Sequence, residues 1–85
     1  MSGIIRKGDK NSHGGVVLTG SGTMEVDGIA VARKGDRVSC PTHGENVIIE
    51  GDGSFTDDGL PVSFHGHRAA CGCTLISSSP DTGIA

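Results

Sequence analysis

The sequence predicts an all-β domain assembled from short hairpins, and three observations carry that prediction. One phrase, Gly, then Asp or His, then three residues, then Cys or His, occurs three times: Gly8-Asp9-Lys10-Asn11-Ser12-His13, Gly35-Asp36-Arg37-Val38-Ser39-Cys40 and Gly66-His67-Arg68-Ala69-Ala70-Cys71. Short β-branched and apolar runs alternate with Gly- and Asp-rich turn signals. No window keeps apolar residues at helical spacing without an interrupting glycine, so at most one helical turn is expected, at Ala69-Ala70.

Ile4-Ile5 opens the first strand. Val16-Val17-Leu18-Thr19 is β-branched and apolar, Gly20-Ser21-Gly22 turns the chain, and Thr23-Met24-Glu25-Val26 alternates. Asp27-Gly28 is a hairpin signal, and Ile29-Ala30-Val31-Ala32-Arg33 returns. The next unit repeats the order: Val47-Ile48-Ile49-Glu50, a turn at Gly51-Asp52-Gly53, the strand Ser54-Phe55-Thr56, a turn at Asp57-Asp58-Gly59, and a strand from Leu60 to Phe64. Cys73-Thr74-Leu75-Ile76 reads as a last strand. Residues 76–85 have loop composition and are expected as a loosely ordered tail.

The second and third units share a fixed offset of 31: Gly20 maps to Gly51, Gly22 to Gly53, Gly28 to Gly59, Val31 to Val62, Gly35 to Gly66 and Cys40 to Cys71. The first phrase sits 27 before the second, and the difference of four matches the longer connection from Cys40 to Asn46. Internal repeats take precedence over local signals. Three similar β units cannot each bury a face alone, but they can about a common pseudo-threefold axis. That packing brings His13, Cys40 and Cys71 near one another at one end. A linear stack also uses repeats, but it would separate those residues. Residues 1–85 are expected as a single domain with no fused second one.

Composition sharpens the need for a staple. A chain of 85 residues with 15 Gly, two Phe, no Trp and no Tyr builds only a thin core. The net charge is -3 with acidic and basic residues interspersed, so neither a basic patch nor aromatic stacking surface is available for nucleic acid. No apolar run approaches a membrane span. Met1 to Lys7 turns polar too soon for a signal peptide, so synthesis in the cytoplasm is expected, with any export by a route that reads no cleavable signal.

Three cysteines (Cys40, Cys71, Cys73) and four histidines (His13, His43, His65, His67) favour metal over disulfide in such a chain. Tetrahedral zinc takes four N or S ligands. The first repeat offers His13, the second Cys40 and His43, the third His67 and Cys71. One ion held by all three repeats would add its ligation energy to folding. Three readings stay open for Cys40: a ligand, a disulfide partner for Cys71, or a packed thiol. His65 reads as an ordinary strand residue and Cys73 as a small buried apolar one, since a Cys-x-Cys disulfide is geometrically poor. Asp9 and Asp36 read as turn or capping groups. The replacement of Asp36 by His67 in the third copy suggests that this position faces the shared end.

Catalytic motifs are absent from the sequence: there is no His-Glu-x-x-His and no Gly-x-Ser-x-Gly elbow, and Gly20-Ser21-Gly22 precedes a strand rather than a phosphate-binding helix. No enzyme activity is expected. Two rival readings of such a chain are a small zinc hydrolase and a stand-alone zinc-binding adaptor.

Taken together, Gly28-Ile29-Ala30-Val31-Ala32-Arg33-Lys34-Gly35-Asp36, its counterpart Gly59 to His67, Gly8 to Gly15, Cys40-Pro41-Thr42-His43-Gly44 and Gly66 to Gly72 resemble the PAAR-repeat proteins over essentially the whole chain. The naming motif is altered: Ala30-Val31-Ala32-Arg33 lacks the Pro, and Pro61-Val62-Ser63-Phe64 lacks Ala-Ala-Arg. The resemblance implies a small conical pseudo-threefold β domain, stapled near its tip by one Zn2+ through three His and one Cys. Carried over by position, those ligands are His13, His43, His67 and Cys71. It further implies a structural protein that caps and sharpens the trimeric VgrG spike of a type VI secretion system, one tip per trimer. The tip would aid envelope puncture and effector delivery and be exported on the spike to the exterior or target cell.

Overall fold

Three backbone hydrogen bonds close a ring at the centre of the molecule. In the computed structural model, which describes residues 2–84, Ile5 N–H donates to Ser63 O (3.0 Å), Ala32 N–H to Ile5 O (2.8 Å) and Ser63 N–H to Ala32 O (3.0 Å). These residues hold the same place in the three repeats, and all three are fully buried. A cycle in which each member donates to the next and accepts from the last defines a pseudo-threefold axis. The closure expected from the offsets is therefore the one observed.

Among the described residues, ten short strands surround this ring: β1 (Ser2–Ile4), β2 (Lys10–Asn11), β3 (Glu25–Val26), β4 (Ile29–Ala30), β5 (Arg37–Val38), β6 (Asn46–Val47), β7 (Asp52–Asp57), β8 (Leu60–Val62), β9 (Leu75–Ile76) and β10 (Ser79–Ile84). They pair antiparallel as β1–β10, β2–β9, β3–β4, β5–β6 and β7–β8. Isolated bridges join these pairs, among them Ile4–Phe64, Arg6–Val31 and Arg33–Val62 around the ring, and Val17–Val38 and Ile48–Ala69 beyond it. The expected strand at 16–19 is reduced to bridges at Val16 and Val17. The described residues contain no helix, and Ala70-Cys71 forms a plain turn closed by Gly72 N–H to Ala69 O.

Each repeat enters its outer half through the same corner. Gly8, Gly35 and Gly66 sit at φ of 90°, 96° and 94°, where a side chain would be strained. Their N–H groups donate to Val17, Ile48 and Leu75. The next residue then accepts a backbone N–H from three positions back: Arg6 N–H to Asp9 (2.8 Å), Arg33 N–H to Asp36 (2.7 Å) and Phe64 N–H to His67 Nδ1 (2.9 Å).

Two hairpins and one further strand pair of matching register form one end. Val26 pairs with Ile29, Asp57 with Leu60, and Ile84 with Ser2. The first two carry Asp-Gly turns with both residues at positive φ, Asp27 (54°) with Gly28 (78°) and Asp58 (54°) with Gly59 (80°), as a two-residue hairpin of matching twist requires. The third pairs strands from opposite ends of the described chain. Within the segment 76–85, which has loop composition, Ile76 belongs to β9 and 79–84 form β10, which covers the edge of β1. Ala85 lies outside the described residues. The expected turn at Gly51-Asp52-Gly53 is also displaced. Asp52 and Gly53 already belong to β7, whose register against β8 shifts between Asp52 and Thr56.

Two small clusters make the core. Ile4, Val31, Val62 and Phe64 pack with Met24 and Val26 toward the hairpin end. Ile5, Val17, Ala32, Val38, Ile48, Ala69, Cys73 and Leu75 form the other, against which Cys71 packs. Each fully buried aliphatic side chain contributes about 1.5–3 kcal/mol, and there are few of them for the chain's length.

A buried carboxylate joins the first two hairpins. Asp57 replaces the apolar Val26 of the previous unit, and it accepts from Ser21 Oγ, from Thr23 Oγ1 (2.9 Å) and from Arg33 Nη1 (3.4 Å). The Ser21 hydroxyl, against the opposing effect of burial and with help from Thr23 and Arg33, holds the carboxyl below its usual pKa. A depressed folded-state value means that the stabilisation is present above the ordinary carboxylate range and is lost as pH falls through the folded value. Thermal unfolding of metal-free protein should therefore show Asp57→Asn below wild type at pH 7. The two should converge as pH drops below roughly 4. A constant gap across that window would refute the assignment.

Candidate metal centre

Beyond the second core cluster, the three repeats present His13, Cys40, His43 and Cys71 to one another, with all four ligand atoms within 4.8 Å. His13 Nδ1 lies 3.3 Å from Cys40 Sγ and 3.7 Å from Cys71 Sγ, and His43 Nδ1 lies 3.4 Å from Cys40 Sγ. Metal–sulfur and metal–nitrogen bonds of the usual zinc lengths at a tetrahedral angle put N and S about 3.6 Å apart. The donor set and these three spacings therefore fit a zinc-like ion.

The local chemistry that places each ligand is visible. Asn11 is buried at the position that Val38 and Ala69 fill in the other repeats. Its Oδ1 accepts from His13 N–H and Gly15 N–H (3.0 Å each), and its Nδ2 donates to Ser39 O (2.9 Å). This one side chain folds the His13 loop and pins it beside Cys40. Gly15 lies so close to Ser39 that an added Cβ would fall 1.8 Å from the Ser39 carbonyl oxygen. In the second repeat, Gly44 N–H donates to Cys40 O (2.7 Å), curling Cys40 to His43 into a turn whose two ends both present ligands. Asn46 ties this turn to the third repeat: its Nδ2 donates to Gly44 O and its Oδ1 accepts from Cys71 N–H, both at 3.2 Å.

The thiols differ in character. Burial raises the Cys40 pKa, but hydrogen bonding with His43 and His13 outweighs it, and the net shift is downward. Cys71 is likewise shifted down, with burial opposed by contacts to Cys73, Cys40 and Asn46. Cys73 is pushed up to about 11, chiefly by burial and then by Cys71 beside it. It is fully buried in the core and acts as the small apolar residue expected. All three cysteines are free.

The structure brings together three of the four residues that the resemblance implied, His13, His43 and Cys71, and supplies Cys40 as the fourth. His67 is not among them. Its Nδ1 accepts the Phe64 N–H, and its ring stands edge-on to Phe64 at 6.2 Å, which in turn stands edge-on to Phe55 at 5.7 Å. These contacts hold His67 at its own corner, and the reason is local. At these two positions the first two repeats carry an Arg and an Asp, Arg6 and Asp9, Arg33 and Asp36; in the third both change together, to Phe64 and His67. The His substitutes for an Asp cap next to an aromatic partner. Phe64 standing at the register position of Arg33 was the sequence signal for this. His65 is engaged elsewhere, accepting Ser77 N–H at 3.0 Å.

A pseudo-threefold arrangement of short hairpins, carrying at one end a His/Cys group able to hold a metal ion, defines a class of small β-repeat cones. The model of the PAAR motif family matches residues 7–77, and the chain belongs to that family. The PAAR motif is associated with the tips of type VI secretion spikes, a structural role. Comparison with curated proteins gave no match.

Proposed function

We propose that this chain is a spike tip that caps a trimeric VgrG-type protein of a type VI secretion system, with one Zn2+ held by His13, Cys40, His43 and Cys71. The observation that carries the proposal is the hairpin end. Three strand pairs in the same register offer a threefold set of edges to a threefold trimer, and the equivalent residues Ile29 and Leu60 stand exposed there at 39% and 41%. Covering those edges and apolar side chains would remove both from water. At the other end, four protein ligands would close the coordination sphere and leave no position for an activated water, so the metal is structural. Ligation across all three repeats stiffens a thin-cored domain against the load of puncture. The tip leaves the cell on the spike, alone or with effector proteins.

Native mass spectrometry of the chain mixed with a purified VgrG-type trimer tests this. One tip per trimer is expected, with at least tenfold weaker association after Ile29→Lys and Leu60→Lys together. Absence of a complex at micromolar concentrations of the cognate trimer would refute the proposal.

A further inference from the structure

Cys40 and Cys71 hold the same register position in consecutive repeats, and both are free thiols in a group whose ligand atoms all lie within 4.8 Å. A disulfide needs its sulfurs at about 2.05 Å, so rotation about the two Cα–Cβ bonds has less than about 3 Å to close. The choice of partner is constrained. Cys73 is two residues from Cys71, wholly buried in the core cluster, and poorly placed for a Cys-x-Cys bond. Cys71 is half-buried and its turn is exposed at Ala70 and Gly72, so one sulfur of the pair is within reach of solvent.

We infer that Cys40 and Cys71 form a redox release pair, in which a small disulfide oxidant closes a Cys40–Cys71 bond and frees the metal. This deepens the proposed metal site and rests on it. The Cys71 thiolate attacks one sulfur of the oxidant, forming a mixed disulfide and expelling one thiolate. The Cys40 thiolate then attacks the Cys71 sulfur and expels the second. Two thiolates lose two electrons, the oxidant takes them and leaves as two thiols after gaining two protons from water, and the ion departs as Zn2+. His13 and His43 alone offer two ligands of the four and do not retain it. The three-His, one-Cys set implied by the resemblance has a single sulfur and cannot do this; the pair exists because Cys40 stands in the group. The exchange replaces one cross-link between the second and third repeats by another. A tip moving from a reducing to an oxidising compartment would keep its apex tied while shedding its metal.

The test uses the full zinc-loaded chain, oxidised glutathione and a chromogenic chelator too weak to strip the site by itself. The expected result is release of one zinc per chain, an intact mass lower by two hydrogen atoms, and a peptide map linking Cys40 to Cys71. Cys73→Ala should behave identically. Cys40→Ser, which removes one sulfur of the pair, should show neither the loss of two hydrogen atoms nor any intramolecular link at Cys71. Retained zinc with Cys40 and Cys71 reduced, or a bond that includes Cys73, overturns the inference. If the chain takes up no zinc at all, the metal assignment fails separately. Oxidation of the metal-free chain then still decides the pairing, with an unlinked Cys40 overturning it.

Discussion

A Cys40→Ala chain is expected to leave purification without stoichiometric zinc, and a His67→Asp chain to leave with it. The two substitutions separate the ligand set that the geometry assembles from the set that family resemblance implies. Cys40 Sγ is the hub of the group, 3.3 Å from His13 Nδ1 and 3.4 Å from His43 Nδ1, and the residue is 3% exposed. Removing it deletes one ligand of four and leaves an apolar gap between two histidines. The loss should exceed the roughly 10–100-fold drop typical when only an outer-shell partner is removed. Because binding to the folded chain alone stabilises it by mass action, about 4 kcal/mol at a thousandfold excess over Kd, the variant should also unfold well below wild type and no longer respond to chelator. His67→Asp restores the cap that Asp9 and Asp36 provide in the other repeats. It should keep one zinc per chain and lose only its contact with the Phe64 ring. Elemental analysis of both proteins, with thermal midpoints before and after chelation, gives the answer. Zinc retained by Cys40→Ala and lost by His67→Asp would reverse the assignment of the site.

Those two residues also show what the sequence makes legible. The fixed offsets alone placed His13, Cys40 and Cys71 at one end, because a repeat position is a statement about three-dimensional place whatever residue fills it. The Asp27-Gly28 hairpin was readable because few dipeptides tolerate two successive positive φ values. His67 is ambiguous in the sequence because a histidine is both a metal ligand and a hydrogen-bond acceptor, and here its Nδ1 accepts the Phe64 N–H. Its partner at the corner is Phe64, where the other repeats have Arg. The sequence of β10 has loop composition, and strand formation there comes from pairing with β1, some 80 residues away, and not from local β propensity. Continuing the series Val17, Ile48, Leu75 to Val26, Asp57, Ile84 would have found it.

The same distant pairing explains how the core suffices. Successive repeats are joined through the Ile5–Ala32–Ser63 ring and the corner hydrogen bonds, so no hairpin stands alone. Isolated two-stranded hairpins are marginal in water; here each is held by its neighbours on both sides. Backbone fit at the crossings, more than apolar area, then sets the limit on what substitutions the fold accepts.

Gly15 is where that limit is tightest. Its φ is ordinary, so alanine there meets no conformational penalty of the kind that applies at Gly14 (φ 86°). The obstacle is space: a Cβ would sit 1.8 Å from Ser39 O, 2.6 Å from Ser39 C and 2.9 Å from Asn11 Nδ2. Two of those atoms are backbone and cannot swing away. Ser39 is fixed by its N–H to Val16 O (2.8 Å), by its hydroxyl accepting Val16 N–H (2.9 Å), and by Asn11 Nδ2 on its carbonyl. Relief therefore requires the His13 loop to lift off the second repeat, breaking the Asn11 bridge and drawing His13 away from Cys40. Gly15→Ala should cost about 3 kcal/mol or more, at or above the upper end for overpacked sites. That is a large share of the stability of a domain this size. It should weaken zinc binding as well, although it removes no ligand. Gly22→Ala is the control: its Cβ meets nothing within 4 Å, and its denaturation midpoint should stay within a few tenths of a kcal/mol of wild type, as at ordinary surface positions. Equal midpoints for the two alanine variants would mean that the His13 loop is not clamped against Ser39, and that the first repeat's ligand reaches the metal by some other path.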